Sequence, residues 1–341
     1  MKKPVKILFF ILLLVIAFVA WNIFGPVVSA PEKKYFYIKT GASYEEVKKT
    51  LVQQKIITGS FFFDKLATKA NYHLNIKPGR YEIKNSLNLL SLVRMLKSGN
   101  QSPVKLVINK LRTKEDLAGK IGNAFEADSI HVLNFLTSND SLAAYKLDTN
   151  NVMTHVIPNT YLITWNGPFK KIFQRLEKEH DKFWTKERLN KAAALDLSPE
   201  NVYTMASIVE EETNKNNDKG LIASVYINRI RKGMKLEADP TVKYSMRNFG
   251  LKRILHGHLD YQSPYNTYRN TGLPPGPICT PSTNTIEAVL NAPKTDYIFF
   301  VAKPDFKGYS NFASTYSEHL LFAKAYQKAL DSLIISKKNS R

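Results

Sequence analysis

A chain of 341 residues, 44% hydrophobic and 11% aromatic, is long enough for more than one core and too apolar to be disordered. Lys and Arg number 49 against 29 Asp and Glu, a formal charge of +20 that suits anionic partners such as nucleic acid, phospholipid headgroups or acidic wall polymers without choosing among them. Cys279 is the single cysteine, which excludes an intramolecular disulfide and a cysteine-built zinc site, so it reads as a small buried or turn residue.

The first 30 residues narrow the partners. Lys2, Lys3 and Lys6 precede an apolar run from Ile7 to Phe24 whose only polar member is Asn22. As a helix this run is about 27 Å long, enough to span hydrocarbon with slight thinning. The basic flank is expected to stay cytoplasmic, giving a single-pass protein of the cytoplasmic membrane with its bulk outside. A signal peptide cleaved after Val28-Ser29-Ala30 is the competing reading, and the length of the apolar run favours the retained anchor. Either way the domain is exported, so no nucleic-acid partner is expected.

From Tyr35 the pattern is mixed α+β. Tyr35 to Lys39 alternates like a strand, and Ser43 with Glu46 forms a capping box that opens a helix carrying Val47 and Leu51. A helix is expected from Ser60 to about Ala70, then a turn at Lys77-Pro-Gly feeding a strand through Arg80-Tyr-Glu-Ile, a helix from Ser86 to Lys97 stopped by Gly99, and a strand from Val104 to Ile108. Thr113 to Leu117 opens the next helix as Ser43 to Val47 does, a faint echo of a repeated strand–turn–helix unit. Further helices are expected over Glu115–Phe125, Phe169–Phe183, Asn201–Thr213 and Leu221–Arg231, the last stopped by Gly233. Ile157 to Tyr161 and the Pro-rich stretch after Pro264 read as loops, Tyr297 to Val301 as a strand. The expected division is an anchor with its cytoplasmic tip over 1–30, a small β-α module over 31–108, a larger mixed α+β domain over 109–335, and a frayed charged tail over 336–341.

Three consecutive carboxylates, Glu210, Glu211 and Glu212, close the helix that starts near Asn201, where the macrodipole opposes negative charge. At about 100° per residue, Val202, Met205, Ala206, Val209 and Thr213 form one core-facing stripe. Glu211 lies opposite that stripe and is expected to be solvated. Glu210 lies on one flank; Glu212 lies on the other, beyond Ile208 and Met205, where desolvation and the dipole both favour the neutral acid. Glu212 is therefore the best candidate proton donor, against the plainer reading of a solvated helix end. A metal site of Glu210 and Glu212 with His256 or His258 has no helical His-x-x-x-His or Asp-rich loop behind it, and the two histidines read as turn residues. Asp239, followed by Pro240, reads as a helix cap that can also line a cleft. The rigid loop carrying Asn266, Tyr268 and Arg269 suits a structural crossover or a sugar-binding rim equally.

Several long stretches occur in order: Met205-Ala-Ser-Ile-Val-Glu-Glu-Glu-Thr213, Ala223-Ser-Val-Tyr-Ile-Asn-Arg-Ile230, Gly233-Met-Lys-Leu236, Ala238-Asp-Pro-Thr-Val242, Pro264-Tyr-Asn-Thr-Tyr268, Gly272-Leu-Pro-Pro-Gly-Pro-Ile278 and Ser317-Glu-His319. In order and spacing they resemble the MltG (YceG-like) endolytic murein transglycosylases over nearly the whole chain, including the anchor and a LysM-like module carrying Pro78-Gly-Arg-Tyr81. The resemblance implies cleavage of MurNAc-β-1,4-GlcNAc bonds in nascent peptidoglycan with 1,6-anhydro ends, without cofactor or metal. It implies glycan strands as substrate, the cytoplasmic membrane and cell-wall synthases as partners, and a role in setting strand length. It carries the catalytic glutamate onto Glu212, with Glu210, Asp239, Asn266, Tyr268 and Arg269 binding substrate or supporting the site, and weak glycan binding onto residues near 35–108. The sequence departs from the family at Asn159, where an acid is common, and at Asn109 to Thr113. The rival readings are a non-catalytic membrane-anchored wall-binding scaffold and a hydrolase of lysozyme type.

Overall fold

A computed structural model describes residues 3–339; the first two residues of the expected cytoplasmic tip and the last two of the expected frayed tail lie outside the described residues. The chain forms two compact units. One holds the chain up to Leu106 with Gly122–Asp128 and Leu162–Lys170, and the other holds the remainder. By sequence the first module ends at residue 108; in the structure two later segments return to it.

In the first unit, helix α1 (Lys3–Phe24) is exposed along its apolar length and is, among the described residues, the one helix long and apolar enough to cross a membrane. Strand β1 (Tyr35–Ile38) is followed by α2 (Tyr44–Gln53), whose capping box forms as its sequence requires: the Ser43 hydroxyl accepts from the Glu46 amide, and the Glu46 carboxylate accepts from the Ser43 amide at 2.7 Å. After α3 (Phe61–Lys69), strand β2 (Gly79–Glu82) pairs antiparallel with β1, Tyr35 opposite Glu82 and Ile38 opposite Gly79. Phe36 and Ile38 point into a core with Leu51, Phe63, Tyr81 and Leu92, leaving Tyr35 and Tyr37 on the other face of β1. Helix α4 (Leu89–Ser98) starts three residues later than expected because Asn88, not Ser86, caps it, accepting from the Ser91 amide at 2.8 Å. It ends at Gly99 with φ +70°.

Strand β3 (Val104–Val107) pairs with β4 (Thr160–Ile163), so part of the stretch expected as a loop at 157–161 is strand. Helices α5 (Lys114–Ala124), α6 (Ser129–Leu136), α7 (Asn139–Ala143), α8 (Phe169–Phe183) and α9 (Lys186–Ala194) lead to α10 (Pro199–Glu212). Ser198 caps α10, and every residue from Val202 to Val209 is buried. An all-round buried helix is central rather than amphipathic. It packs with α11 (Asn216–Arg231), α12 (Asp239–Ser245) and, beyond the short α13 (His256–Leu259), α14 (Thr283–Leu290), in a core that includes Met205, Val209, Ile222, Tyr226, Ile286 and Val289. The hairpin β5 (Phe299–Ala302)–β6 (Ser310–Ala313) and α15 (Tyr316–Asn339) complete the unit; β6 and α15 have no counterpart in the sequence expectations, and α15 continues into the expected tail.

Two anchors fix the segments after α11. Arg229, 7% exposed, donates from Nε to the Ile298 carbonyl at 2.7 Å and from Nη1 to the Lys235 and Leu236 carbonyls at 3.1 and 3.0 Å and to Glu237 at 2.9 Å. Gly276 lies so close to the Asn150 carbonyl that a Cβ there would meet its oxygen at 2.0 Å, so only glycine fits this point of the Pro-rich loop. Arg229→Met keeps the aliphatic stem but leaves those buried carbonyls without donors. It is expected to lower the unfolding free energy by roughly 3 kcal/mol, read as an earlier urea midpoint with unchanged slope. An unchanged midpoint would show that the clamp contributes nothing.

Candidate active site

The three carboxylates that end α10 face three different environments. Glu210 turns toward α11 and α14, where Oε2 accepts from Lys219 Nζ at 3.1 Å, from Ser282 Oγ at 3.0 Å and from Thr285 Oγ1. Burial alone would raise its pKa, but the donors from Thr285 and Lys219 outweigh it and the net shift is downward. Lys219, 6% exposed, precedes the helix start expected at Leu221; the run Asn216 to Lys219 is instead the first turn of α11, and pairing with Glu210 is what permits the ammonium to be buried. A cleft of about 450 Å³ opens beside Glu210, walled by Ile108, Lys110, Asn159, Thr280 and Ser282. Asn159 there donates to Glu179 at 3.0 Å.

Glu211 corrects the expectation of a solvated residue. Its side chain is 16% exposed, and Arg112 grips both oxygens, Nε to Oε1 and Nη2 to Oε2, each at 3.1 Å, with Lys110 at 3.3 Å. The reason is that α10 is covered on all sides, so the face opposite the expected stripe is also packed.

Among the described residues Glu212 meets no cation at hydrogen-bond distance. The Tyr226 hydroxyl donates to its Oε1 at 2.7 Å. Part of the side chain reaches the surface, but the carboxyl lies deep enough that burial pushes its pKa up to about 7. Tyr226 and, more weakly, Lys243 pull it back down; Asp239 and Glu211 push it further up. Asp239 stands at the first position of α12, with Pro240 behind it, and its carboxylate accepts from the Tyr268 hydroxyl at 2.7 Å. The cap role expected of it falls to Ala238, whose carbonyl accepts from the Thr241 amide and hydroxyl at 3.0 and 2.7 Å.

Thus Glu212, Asp239 and Tyr268 come together with Tyr226, which sequence reasoning missed although it lies inside the stretch Ala223 to Ile230. Glu210 sits on the other flank of α10. Asn266 is fully buried and committed to its own loop: Nδ2 donates to the Leu259 and Tyr261 carbonyls at 2.9 and 2.8 Å, and Oδ1 accepts from the Tyr268 amide at 3.0 Å. It supports the loop that carries Tyr268 rather than offering free donors. Arg269 is exposed, 3.9 Å from Asp260. His256 and His258 lie in a short turn, where His258 Nδ1 accepts from the Leu255 amide at 3.2 Å. Cys279 is buried, its thiol near the Ser207 carbonyl at 3.4 Å and its pKa pushed up by burial, so it is not a nucleophile. Among the described residues no group of three or more His, Cys, Asp or Glu is placed to hold a metal.

Residues 36–325 match the model of the YceG-like family. The chain belongs to the YceG-like family. As a YceG-like chain it is 43% identical over 136 residues to the endolytic murein transglycosylase of Bacillus subtilis strain 168, a match covering 40% of this chain and 36% of that protein. It is 28% identical over 312 residues to the protein of the same name from Streptococcus pneumoniae strain D39, covering 81% and 55% respectively. It therefore spans little more than a third to a half of these curated relatives. A solved YceG-like protein from Listeria monocytogenes is similar over 84% of this chain and 98% of its own, with 29% identity and a TM-score of 0.57.

The split environments of the YceG-like carboxylates yield opposite stability effects. Glu212 binds its proton more tightly in the folded chain than in the unfolded one, so its contribution is present below the ordinary glutamate pKa of 4.5 and is lost as pH rises through about 7. Glu212→Gln should accordingly gain thermal stability over the wild type as pH rises from 5 to 8. Glu211→Gln breaks a bidentate pair with Arg112 and should lose about 1 to 2 kcal/mol. Melting curves of both variants over that pH range check this; a Glu212→Gln difference that does not grow with pH would contradict the assignment.

Proposed function

We propose that the chain is an endolytic murein transglycosylase, cleaving the β-1,4 bond between N-acetylmuramic acid and N-acetylglucosamine within peptidoglycan strands and leaving 1,6-anhydro ends. The observation that carries this reading is Glu212, whose desolvated carboxyl is held near neutrality and hydrogen-bonded by Tyr226. Family membership and the printed activity of the Bacillus and pneumococcal relatives support it.

In this reading Tyr226 occupies Oε1, so the proton rides on Oε2 and is given to the departing glycosidic oxygen. As the C1–O4 bond breaks, positive charge develops at C1 of the muramoyl residue. Its own C6 hydroxyl closes on C1, and its proton passes to the Glu212 carboxylate, which restores the acid. The bond formed replaces the bond broken and no water is consumed. Ordinary glycosidases need a second carboxylate to act on water or on C1; here the substrate's own C6 hydroxyl is the nucleophile at C1, and one acid suffices. Asp239 acts on the proton affinity of Glu212, raising it, and Tyr268 holds Asp239 in place. Glu210, kept ionised by Lys219, fixes the end of α10 from its other flank.

The apolar helix α1 is read as a retained single-pass anchor with the domain outside the cytoplasm, close to nascent strands and to the synthases that make them. Residues 31–108 are read as a LysM-like module, a reading supported by the antiparallel β1–β2 pair with α2 and α3 between its strands.

Product analysis tests the proposal. Glu212→Gln should lower release of anhydro-ended products from purified glycan by about 10² to 10⁴, with its fold intact. Because the hydrogen bond from Tyr226 lowers the pKa of Glu212 and Asp239 raises it, Tyr226→Phe should move the alkaline limb of kcat/KM to higher pH, and Asp239→Asn should move it to lower pH. Reducing ends in place of anhydro ends would make the chain a hydrolase, and full cleavage by folded Glu212→Gln would leave a wall-binding scaffold or another acid.

A further inference from the structure

The C-terminal end of α12 closes a small recess that neither Glu212 nor Tyr226 lines. Its walls come from separated parts of the second unit: Lys114 at the start of α5, Thr149 and Asn150, Tyr244 and Arg247 at the end of α12, and Tyr265 of the loop that follows. The recess holds about 210 Å³, below the ~300 Å³ at which small-molecule pockets begin, so it takes one end of a larger ligand rather than a whole one. The Tyr244 and Tyr265 rings meet there with centroids 4.9 Å apart.

The polar groups of the recess are mostly donors. Lys114 is half-buried and donates from Nζ to the Thr149 carbonyl at 2.8 Å; among the described residues no carboxylate lies within ion-pair distance of it. Burial lowers its pKa, Glu115 and Asp148 pull the other way, and the nearby Arg247 guanidinium adds to the lowering. Arg247 is exposed, and Nη1 meets Glu115 at 3.0 Å, which leaves its other donors unbonded among the described residues. Its backbone is left-handed, with φ +51°, where glycine is the usual choice, and an arginine held there points to a role for its side chain. The Tyr265 hydroxyl, kept protonated by burial, makes no hydrogen bond among the described residues, and neither does the Asn150 side-chain amide. Asp148 is committed to its own turn, Oδ1 accepting from the Asn150 and Asn151 amides at 2.7 and 2.9 Å. Two cations brought together among unused donors make a seat for an oxyanion.

Position selects the oxyanion. Asp239, beside Glu212, is the first residue of α12 and Ser245 the last, so the recess lies about 9 Å along the helix from the acid at 1.5 Å per residue. A narrower hollow of about 70 Å³, lined by Pro240, Lys243 and Glu211, shares Tyr244 with the recess. Extended chain at up to ~3.5 Å per residue covers that distance in about three residues. A muramoyl residue carries a peptide of this kind on its lactyl group, with free carboxylates in its first few residues.

We propose that Lys114, Arg247 and Tyr265 form a carboxylate-binding recess that takes the acidic peptide branch of a muramoyl residue bound near Glu212, making the chain selective for peptide-bearing strands. The recess stands on the geometry; the identity of its ligand rests on the proposed transglycosylase activity. Inorganic phosphate is the other oxyanion that such donors would hold.

Binding is measured first, on the full chain in detergent carrying Glu212→Gln, so that failure of the catalytic reading leaves the result standing. The probe is the tripeptide N-acetyl-L-Ala-γ-D-Glu-L-Lys, followed by the broadening of its own NMR lines, beside the same tripeptide with its carboxyls amidated. The expected result is saturable broadening whose midpoint rises about tenfold on amidation and about tenfold in Arg247→Gln or Lys114→Met, the factor that one charge-assisted hydrogen bond supplies. Lys186→Gln, at an exposed position on α9 that does not line the recess, should leave the midpoint in place. An equal concentration of inorganic phosphate should not displace the peptide. With the active chain, the ratio of kcat/KM on peptide-bearing glycan to kcat/KM on amidase-stripped glycan should fall about tenfold in Arg247→Gln, an exposed residue whose loss leaves the core intact. No broadening, equal midpoints for the free and amidated peptides, a midpoint unmoved in folded Arg247→Gln, an equal loss in Lys186→Gln, displacement by phosphate, or an unchanged ratio in an active chain would overturn the proposal.

Discussion

Three adjacent carboxylates cannot all be left charged and unpartnered where a helix dipole already points negative, and the second unit is organised around resolving that conflict. Glu210 is given a buried lysine and two hydroxyls, and Glu211 a bidentate arginine. Glu212 is given a tyrosine hydroxyl and apolar cover instead of a cation, and so it keeps its proton to near neutral pH. Pairs of like groups pushed to opposite protonation states by their surroundings are how a fold separates an acid from its ionised neighbours. Removing either compensating cation would shift the burden onto the next residue along, which is why Lys219 and Arg112 belong to the site although neither reaches Glu212.

That arrangement makes demands on distant parts of the chain. Lys219 can be buried only if α11 begins early enough to aim it at α10, and Ser282 and Thr285 arrive from α14 at the far end of a Pro-rich loop. The loop is pinned to the middle of α10, where the Ile278 amide donates to Ser207 Oγ at 2.9 Å. Arg229 fixes the backbone on the way to Asp239, and Asn266 spends its whole side chain on the loop that delivers Tyr268. These buried polar residues stabilise little by themselves; their effect is to leave Glu212, Tyr226, Asp239 and Tyr268 one geometry.

What was legible in the sequence was what local chemistry decides. The capping box at Ser43 and Glu46, the left-handed stop at Gly99 and the position of Glu212 against apolar surface follow from residues within two turns of one another. Glu211 was misplaced because a helical wheel assumes one wet face, and α10 has none. The start of α11 was misread because Asn216 to Lys219 is polar for a reason that lies in α10, not in its neighbours. Tyr226 was the nearest miss, since a tyrosine one face away from a suspected acid on the next helix is a signal that pairing of the two helices would have exposed.

The central claim is the protonation state of Glu212, and the most direct measurement is its own titration. Carboxyl-carbon NMR of chain labelled at glutamate, compared with the same labelling in Glu212→Gln, reads that carboxyl individually. The account predicts one resonance titrating near pH 7 that is missing from the variant, while Glu210 stays ionised to below the ordinary glutamate range. A missing resonance that titrates near 4.5, like an exposed glutamate, would contradict it.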